Sequence, residues 1–182
     1  MWQKKLLLRI QECEWKNIYV NNFKTPRYKK FSEFKYKILH NILACNDKLS
    51  KWKKIQSSAC VVCNEKEDIS HLLYNCPRIK LIWNILSNCL NLNIQLKHII
   101  LGIECDNYVS KNKFICIIIV SYTIYSNWYK TRINNGNYWS SNIKELICQQ
   151  LTFYCDVYQH VVPPKQWRNL TRFVKCILYH LK

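Results

Sequence analysis

Between Cys60 and Cys76 the chain reads C-x2-C-x7-H-x4-C, which puts three cysteines and one histidine within seventeen residues. Thiolate and imidazole are the donors that Zn2+ prefers, and a tetrahedral set of four leaves no open position for water or substrate. Cys60, Cys63, His71 and Cys76 are therefore the expected ligands of one Zn2+ with a structural role. Cys60 and Cys63 would form a turn whose backbone amides face both sulfurs, His71 would project from a short helix, and Cys76 would close the site just before Pro77. The segment carries charged residues instead of core periodicity, which argues against ordinary reduced core cysteines. No HExxH arrangement is present to suggest a catalytic zinc. Three thiolates with Zn2+ sum to a net charge of −1, and Lys66, Arg78 and Lys80 are the nearby cations that would offset it.

The chain of 182 residues is one ordinary domain in length, or one with an appended lobe, and its hydrophobic content of 49% is enough for a packed core. Lys and Arg number 28 against 11 acids, for a net charge of +17. A surface this cationic accumulates polyanions, nucleic acid first among them. The eleven cysteines are odd in number, and Leu6, Leu7 and Leu8 are too short an apolar run for an exported leader. A reducing, intracellular setting, nuclear or cytoplasmic, is expected, in which a Cys/His cluster binds metal. The other eight cysteines, including Cys89, Cys116 and Cys148, fall in apolar helical patterns and read as small core residues. The longest apolar stretch, Phe114 to Tyr125, is well short of the roughly 20 residues a membrane helix requires, so a buried element with no membrane partner is expected.

The elements that must position the cluster read as helices. Phe31, Phe34, Ile38 and Ile42, widened by Leu39 and Leu43, predict an amphipathic helix from about Tyr28 to Leu43, with Pro26 just upstream. "KLSKWKKIQSS" predicts a second, shorter one ending before Cys60. Glu65, Glu67 and Asp68 precede Ile69, Leu72 and Leu73, and acids at a helix start favour a short helix from about Asp68 to Tyr74. Pro77 suits the first position of the next helix, whose inward face would carry Ile79, Ile82, Trp83, Leu86 and Leu90, with Arg78, Lys80, Asn84 and Asn88 opposite. The run Ile117 to Val120 has strand composition, but its length and continuation to Trp128 favour a helix. "INNGN" at Ile133 to Asn137 reads as a loop. Asn142 and Glu145 mark the start of a helix from Ile143 to Gln159. Pro163 and Pro164 separate it from a last helix carrying Trp167, Leu170, Val174, Ile177 and Leu181. The fold class is mainly α: a helical domain with a small Cys3His zinc-stabilised lobe over residues 1–105 (core about 15–90), then a helical C-terminal extension over 106–182.

In order, "FSEFKYKILHNILACNDKLSKW", "CVVCNEKEDISHLLYNC" and "LIWNIL" resemble the zinc-binding region at the C-terminal end of non-LTR (LINE-type) retrotransposon reverse transcriptases. The matching positions are Phe34, Lys35, Leu39 to Leu43, Lys48, Leu49, Cys60, Cys63, Glu67, His71, Leu72, Cys76 and Trp83. The similarity is clearest from about Trp15 to Leu90 and fainter through "IILGI" and "IVSYTIYSNW". Cys45 and Asn46 replace the Pro-Thr type pair common after the first helix, and the last twenty residues match nothing in that pattern. The resemblance implies descent from a polyprotein that copies RNA at nicked DNA, with this chain a detached piece of it. Polymerase chemistry needs paired acids for two metal ions; no Asp-Asp occurs, and no endonuclease set emerges, so no catalytic residue is assigned.

From Lys24 to Lys54 there are ten basic residues against Glu33 and Asp47, a local balance of +8. Lys29, Lys30, Lys35, Lys37, Lys48, Lys51, Lys53 and Lys54, with Arg78 and Lys80 beyond the zinc site, are candidate phosphate contacts. Trp52, Tyr28 and Tyr36 are candidate stacking platforms for unpaired bases. Two functions follow: a non-catalytic nucleic-acid-binding module preferring RNA or an RNA–DNA junction, or a structural module packing on the remainder of a reverse transcriptase. A decayed reading frame without selected function is the third reading.

Overall fold

The computed structural model describes residues 2–24, 28–133 and 143–181. Among them, in chain order, are α1 (Trp2–Leu6), α2 (Glu12–Lys24), α3 (Lys29–Leu39), α4 (Asn46–Lys51), a π-helical turn (His71–Asn75) and α5 (Pro77–Leu90). α6 (Leu96–Ile100), α7 (Tyr108–Ile133), α8 (Ile143–Tyr158) and α9 (Pro164–Leu181) complete the series. The extended pairing among the described residues is one antiparallel bridge, Ala59 to Lys66, inside the Cys/His segment. The mainly α fold class is thus observed.

α7 is the axis of the molecule. Phe114 through Val120 are all buried, as are Ile124 and Trp128, so apolar residues cover its whole circumference and no single face predominates. α3, α6 and the π turn pack on part of it and α8 and α9 on the rest. This is why the β-branched run from Ile117 forms a helix: only a helix gives it neighbours all round. Its buried hydroxyls are satisfied within the helix, Ser121, Thr123 and Thr131 each donating to the carbonyl four residues back at 2.7–2.8 Å. No helix among the described residues is long and apolar enough to cross a membrane.

Most predicted elements appear with shifted ends. α5 begins on Pro77 and buries Ile79, Ile82, Trp83, Leu86 and Leu90, the expected face, and ends at left-handed Asn91. α3 stops at Leu39, short of the expected Leu43. The indole of Trp2 donates to the carbonyls of Ile38 and Leu39, both at 3.0 Å, and Asn41 then takes φ +52°, a conformation asparagine tolerates. Ile42 consequently faces solvent, while Leu43 is buried. α4 is shorter than its sequence suggests because Lys53 adopts φ +55° just after it. α8 and α9 match expectation. Pro26, the loop after Ile133 and the Asn142 start signal lie outside the described residues. α1, α2 and α6 were not foreseen.

The cysteines divide differently from the sequence reading. Cys45, Cys116 and Cys155 are buried core residues, whereas Cys89 and Cys148 are only half-buried and Cys13 is exposed.

Lys35 requires a correction. On α3 it follows Phe34 on the inward stripe and is 1% exposed. Its ammonium donates to the carbonyls of Ile99, at 2.6 Å, and Ile100, at 3.0 Å, closing the C-terminal end of α6. It also lies over the Phe114 ring, 5.5 Å from the centroid. Lys35 is a buried cap and is out of reach of a phosphate.

Burial pulls the Lys35 ammonium down to about 7 from an ordinary 10.5. Between these values the unfolded chain holds a proton that the folded chain has released, so this residue makes stability rise with pH across that window. The urea midpoint of wild type should therefore rise relative to that of Lys35→Met from about pH 7 toward pH 10; a pH-independent difference would refute the assignment. Trp2→Ala, which removes a buried indole and two capping bonds, should cost about 3–5 kcal/mol in equilibrium unfolding.

Candidate metal centre

The Cys/His segment is built by backbone hydrogen bonds. Cys60 N donates to Glu65 O at 2.7 Å and Asn64 N to Cys60 O at 2.9 Å, with Asn64 in the left-handed region at φ +63°. The resulting tight turn directs the amides of Val62 and Cys63 at the Cys60 sulfur. The amide of Arg78, in the first turn of α5, points at the Cys76 sulfur. The first feature is the turn anticipated from the spacing, with its amides on the Cys60 sulfur, and the Arg78 amide adds a contact that the spacing did not suggest. On the other side Asp68 Oδ1 accepts from His71 N at 2.8 Å, acting as the cap of the π turn that carries the histidine. Pro77 starts a new helix immediately after Cys76, which fixes the fourth donor at the junction.

The ligand atoms of Cys60, Cys63, His71 and Cys76 all lie within 4.8 Å of one another. His71 Nε2 is 3.3 Å from Cys63 Sγ and faces the sulfurs. Its other nitrogen, Nδ1, is 3.3 Å from a Glu65 carboxylate oxygen. A carboxylate on the far ring nitrogen fixes the tautomer that leaves Nε2 free to ligate. The donor set therefore fits Zn2+ in number, type and orientation. Burial pushes the Cys60 thiol up to about 12 and raises that of Cys76 as well; a divalent cation reverses this by stabilising thiolate directly. All four positions are protein donors, so the ion's contribution is architectural.

The three acids ahead of His71 have three different roles. Glu65 orients the histidine, and Asp68 caps its turn and pairs with Lys5 of α1 at 2.6 Å. Burial alone would raise the Asp68 carboxyl, but Lys5 and the His71 amide outweigh it and hold it below the ordinary carboxylate range. Glu67 is wholly buried. Its Oε1 accepts from Asn46 N, at 3.2 Å, and from the Trp128 indole, at 2.9 Å, and burial raises its pKa against those donors. The sequence reading placed all three acids at a helix start, and only Asp68 serves there.

Lys66 does not offset the site's charge as expected. It pairs with Asp47 at 3.1 Å, as does Lys51 at 2.9 Å. Burial alone would raise the Asp47 carboxyl, and these two lysines together outweigh it and bring it below its usual range.

The remaining candidate contacts are spread over several elements. Lys29 and Lys30 are exposed at the start of α3, Lys29 lying 3.8 Å from Glu33 and Lys30 over the rings of Phe31 and Tyr122. Lys37 is exposed; Lys48 is half-buried and donates to the Asn41 carbonyl. Lys51, Trp52, Lys53 and Lys54 form one exposed run at the end of α4, and Arg78 and Lys80 are exposed on α5. Tyr28 packs edge-on against Phe31 and Tyr154 and belongs to the core margin. Tyr36 is exposed beside His40.

A closed Cys3His set on a helical body defines a structural zinc-binding domain. Residues 1–83 match the family described as zinc-binding in reverse transcriptase. The match takes in α1 through the middle of α5 and all four donors, begins well before Trp15, and concerns a zinc-binding region and not a polymerase catalytic domain. Comparison with curated proteins and with solved structures gave no match. Donor set and family match together support one structural Zn2+ at this position.

His71→Ala should abolish stoichiometric zinc and melt the segment around it, seen as lost helical ellipticity that excess zinc does not restore. Glu65→Ala, at an exposed position, should leave the fold intact and weaken zinc about 10–100-fold in chelator competition. Unchanged affinity would mean that the Glu65 contact is incidental.

Proposed function

We propose that this chain is a non-catalytic nucleic-acid-binding module, derived from the C-terminal end of a non-LTR reverse transcriptase, in which zinc shapes the binding face. The observation that carries this reading is the run Lys51, Trp52, Lys53, Lys54. Trp52 is 53% exposed, and an exposed indole flanked by lysines offers an unpaired base a stacking face beside cations for its phosphates. Lys53 and Lys54 have no salt bridge among the described residues. Lys37 and Lys80 share that condition and extend the cationic surface beyond α4. The run borders the zinc segment directly, since a small cavity is lined by Lys51 and Trp52 together with Asp68 and Ile69. A larger polar groove of about 620 Å³, lined by Lys80, Trp83, Asn84, Asn88 and Asn93, lies along α5; its amides supply donors and acceptors for base edges or sugars.

Single-stranded or looped RNA is the favoured partner, because stacking on an exposed indole needs unpaired bases. Such a module works inside the cell, in nucleus or cytoplasm, alone or alongside the rest of a reverse transcriptase. A second reading, a surface for that polymerase body, is supported by Val61 at 71% exposed, and by Leu7 and Leu81, also exposed.

Binding of single-stranded RNA to the zinc-loaded chain should weaken steeply with salt, and Lys51→Glu/Lys53→Glu/Lys54→Glu should flatten that dependence by about three charges. Trp52→Ala should cost about 1–3 kcal/mol on single strands and less on duplex. Salt-insensitive binding, or none, would remove this reading; self-association in light scattering would favour the second.

A further inference from the structure

A second convergence of soft donors lies away from the Cys3His site. Cys89 on α5 meets Cys176 and His180 on α9, with their ligand atoms all within 4.8 Å of one another. Cys176 and His180 are four residues apart and so share one face of α9, and that face packs on α5. All three donors lie beyond residue 83, outside the matched region.

We propose that Cys89, Cys176 and His180 form a second metal site, selective for a thiophilic d10 cation of the Zn2+ class. Donors bound at about 2.0–2.3 Å to a tetrahedral ion lie about 3.4–3.8 Å from each other, so the observed spacing needs only small side-chain rotations to close on one. Two sulfurs and one imidazole make three ligands, and His180 is exposed while both cysteines are half-buried. The fourth position therefore faces solvent and takes water or an external donor, unlike the closed Cys3His set. The carboxylate that orients His71 has no counterpart at His180 among the described residues, where the ring meets Tyr179 edge-on at 5.1 Å. This site accordingly holds its ion more weakly than the first. An ion there cross-links the helix that follows the Cys3His cluster to the last helix of the chain, so metal tightens the C-terminal extension onto the zinc-binding region.

The test is a Co2+ titration of the full metal-free chain under reducing conditions, followed by thiolate-to-cobalt absorption. Wild type should take up about two equivalents, the second more weakly, and Cys176→Ser and His180→Gln should each take up about one. Retention of the first equivalent shows that each variant is folded, and His71→Ala should lose that one selectively. Wild-type saturation at about one equivalent, with a spectrum unchanged by Cys176→Ser, overturns the proposal. So does a Cys89–Cys176 disulfide found by non-reducing peptide mapping of the freshly isolated chain, because the pair would then be a covalent link and not a ligand set.

Discussion

Glu67 is the buried acid on which the arrangement of this chain turns. A carboxylate removed from water costs several kcal/mol unless its oxygens are engaged; here Oε2 is buried without a hydrogen-bond partner among the described residues, and the engagement of Oε1 ties three elements together. One oxygen accepts from the first amide of α4 and from the indole of Trp128 on α7. The amide of the same residue donates to Ser58 O, and its carbonyl accepts from Asp47 N. The amide end of α4 carries the positive pole of its helix dipole, a favourable place for an anion even in a short helix. Asn46 then passes the connection on, donating to Ala59 O and accepting from Arg132. The metal segment, α4 and the central helix are thereby locked to one another through a single side chain and its immediate partner.

This lock explains why the metal matters for more than its own loop. Residues 58–70 contribute little apolar burial beyond Cys60 and Ile69, and Val61 and Val62 at the tip of the turn face solvent. Hydrophobic collapse cannot order such a segment, whereas a four-coordinate ion can, because structural zinc supplies on the order of 10 kcal/mol to the fold it closes. Once closed, the segment presents Glu67 inward and Lys66 to Asp47, and both contacts bear on α4.

The ligand set, the α5 face and the last helix were legible in the sequence because each depends on local spacing: donors at zinc-finger intervals, or apolar residues at helical period. The roles of Glu65, Glu67 and Asp68 were not. In a turn with no regular period, nothing local distinguishes an acid facing a histidine from one facing the core. Lys35 left a readable trace, since its position four after Phe31 and three before Ile38 puts it on the buried stripe. The density of lysine around it concealed the signal. Trp2 had no such trace, for its two partners lie on α3, far along the chain. The pairing of Cys89 with α9 was likewise invisible, being a product of how two distant helices pack.

The two ends of the chain brace the metal-binding region from different sides, and this accounts for the placement of the exposed lysine and tryptophan run. α1 reaches it twice, through Trp2 on the end of α3 and through Lys5 on Asp68. α9 reaches it through α5, burying Leu170, Val174, Ile177 and Leu181. With α3 and α5 held in this way and Glu67 fixing the start of α4, the end of α4 has few remaining neighbours. Lys53 turns the backbone out through a left-handed conformation, and Trp52 is left at the surface because the packing around it is already complete. An indole that the core has no room for, fixed at its base by a buried carboxylate and a zinc segment, is a preorganised surface; under the proposed nucleic-acid-binding function, an unpaired base stacking on it would order little more than itself.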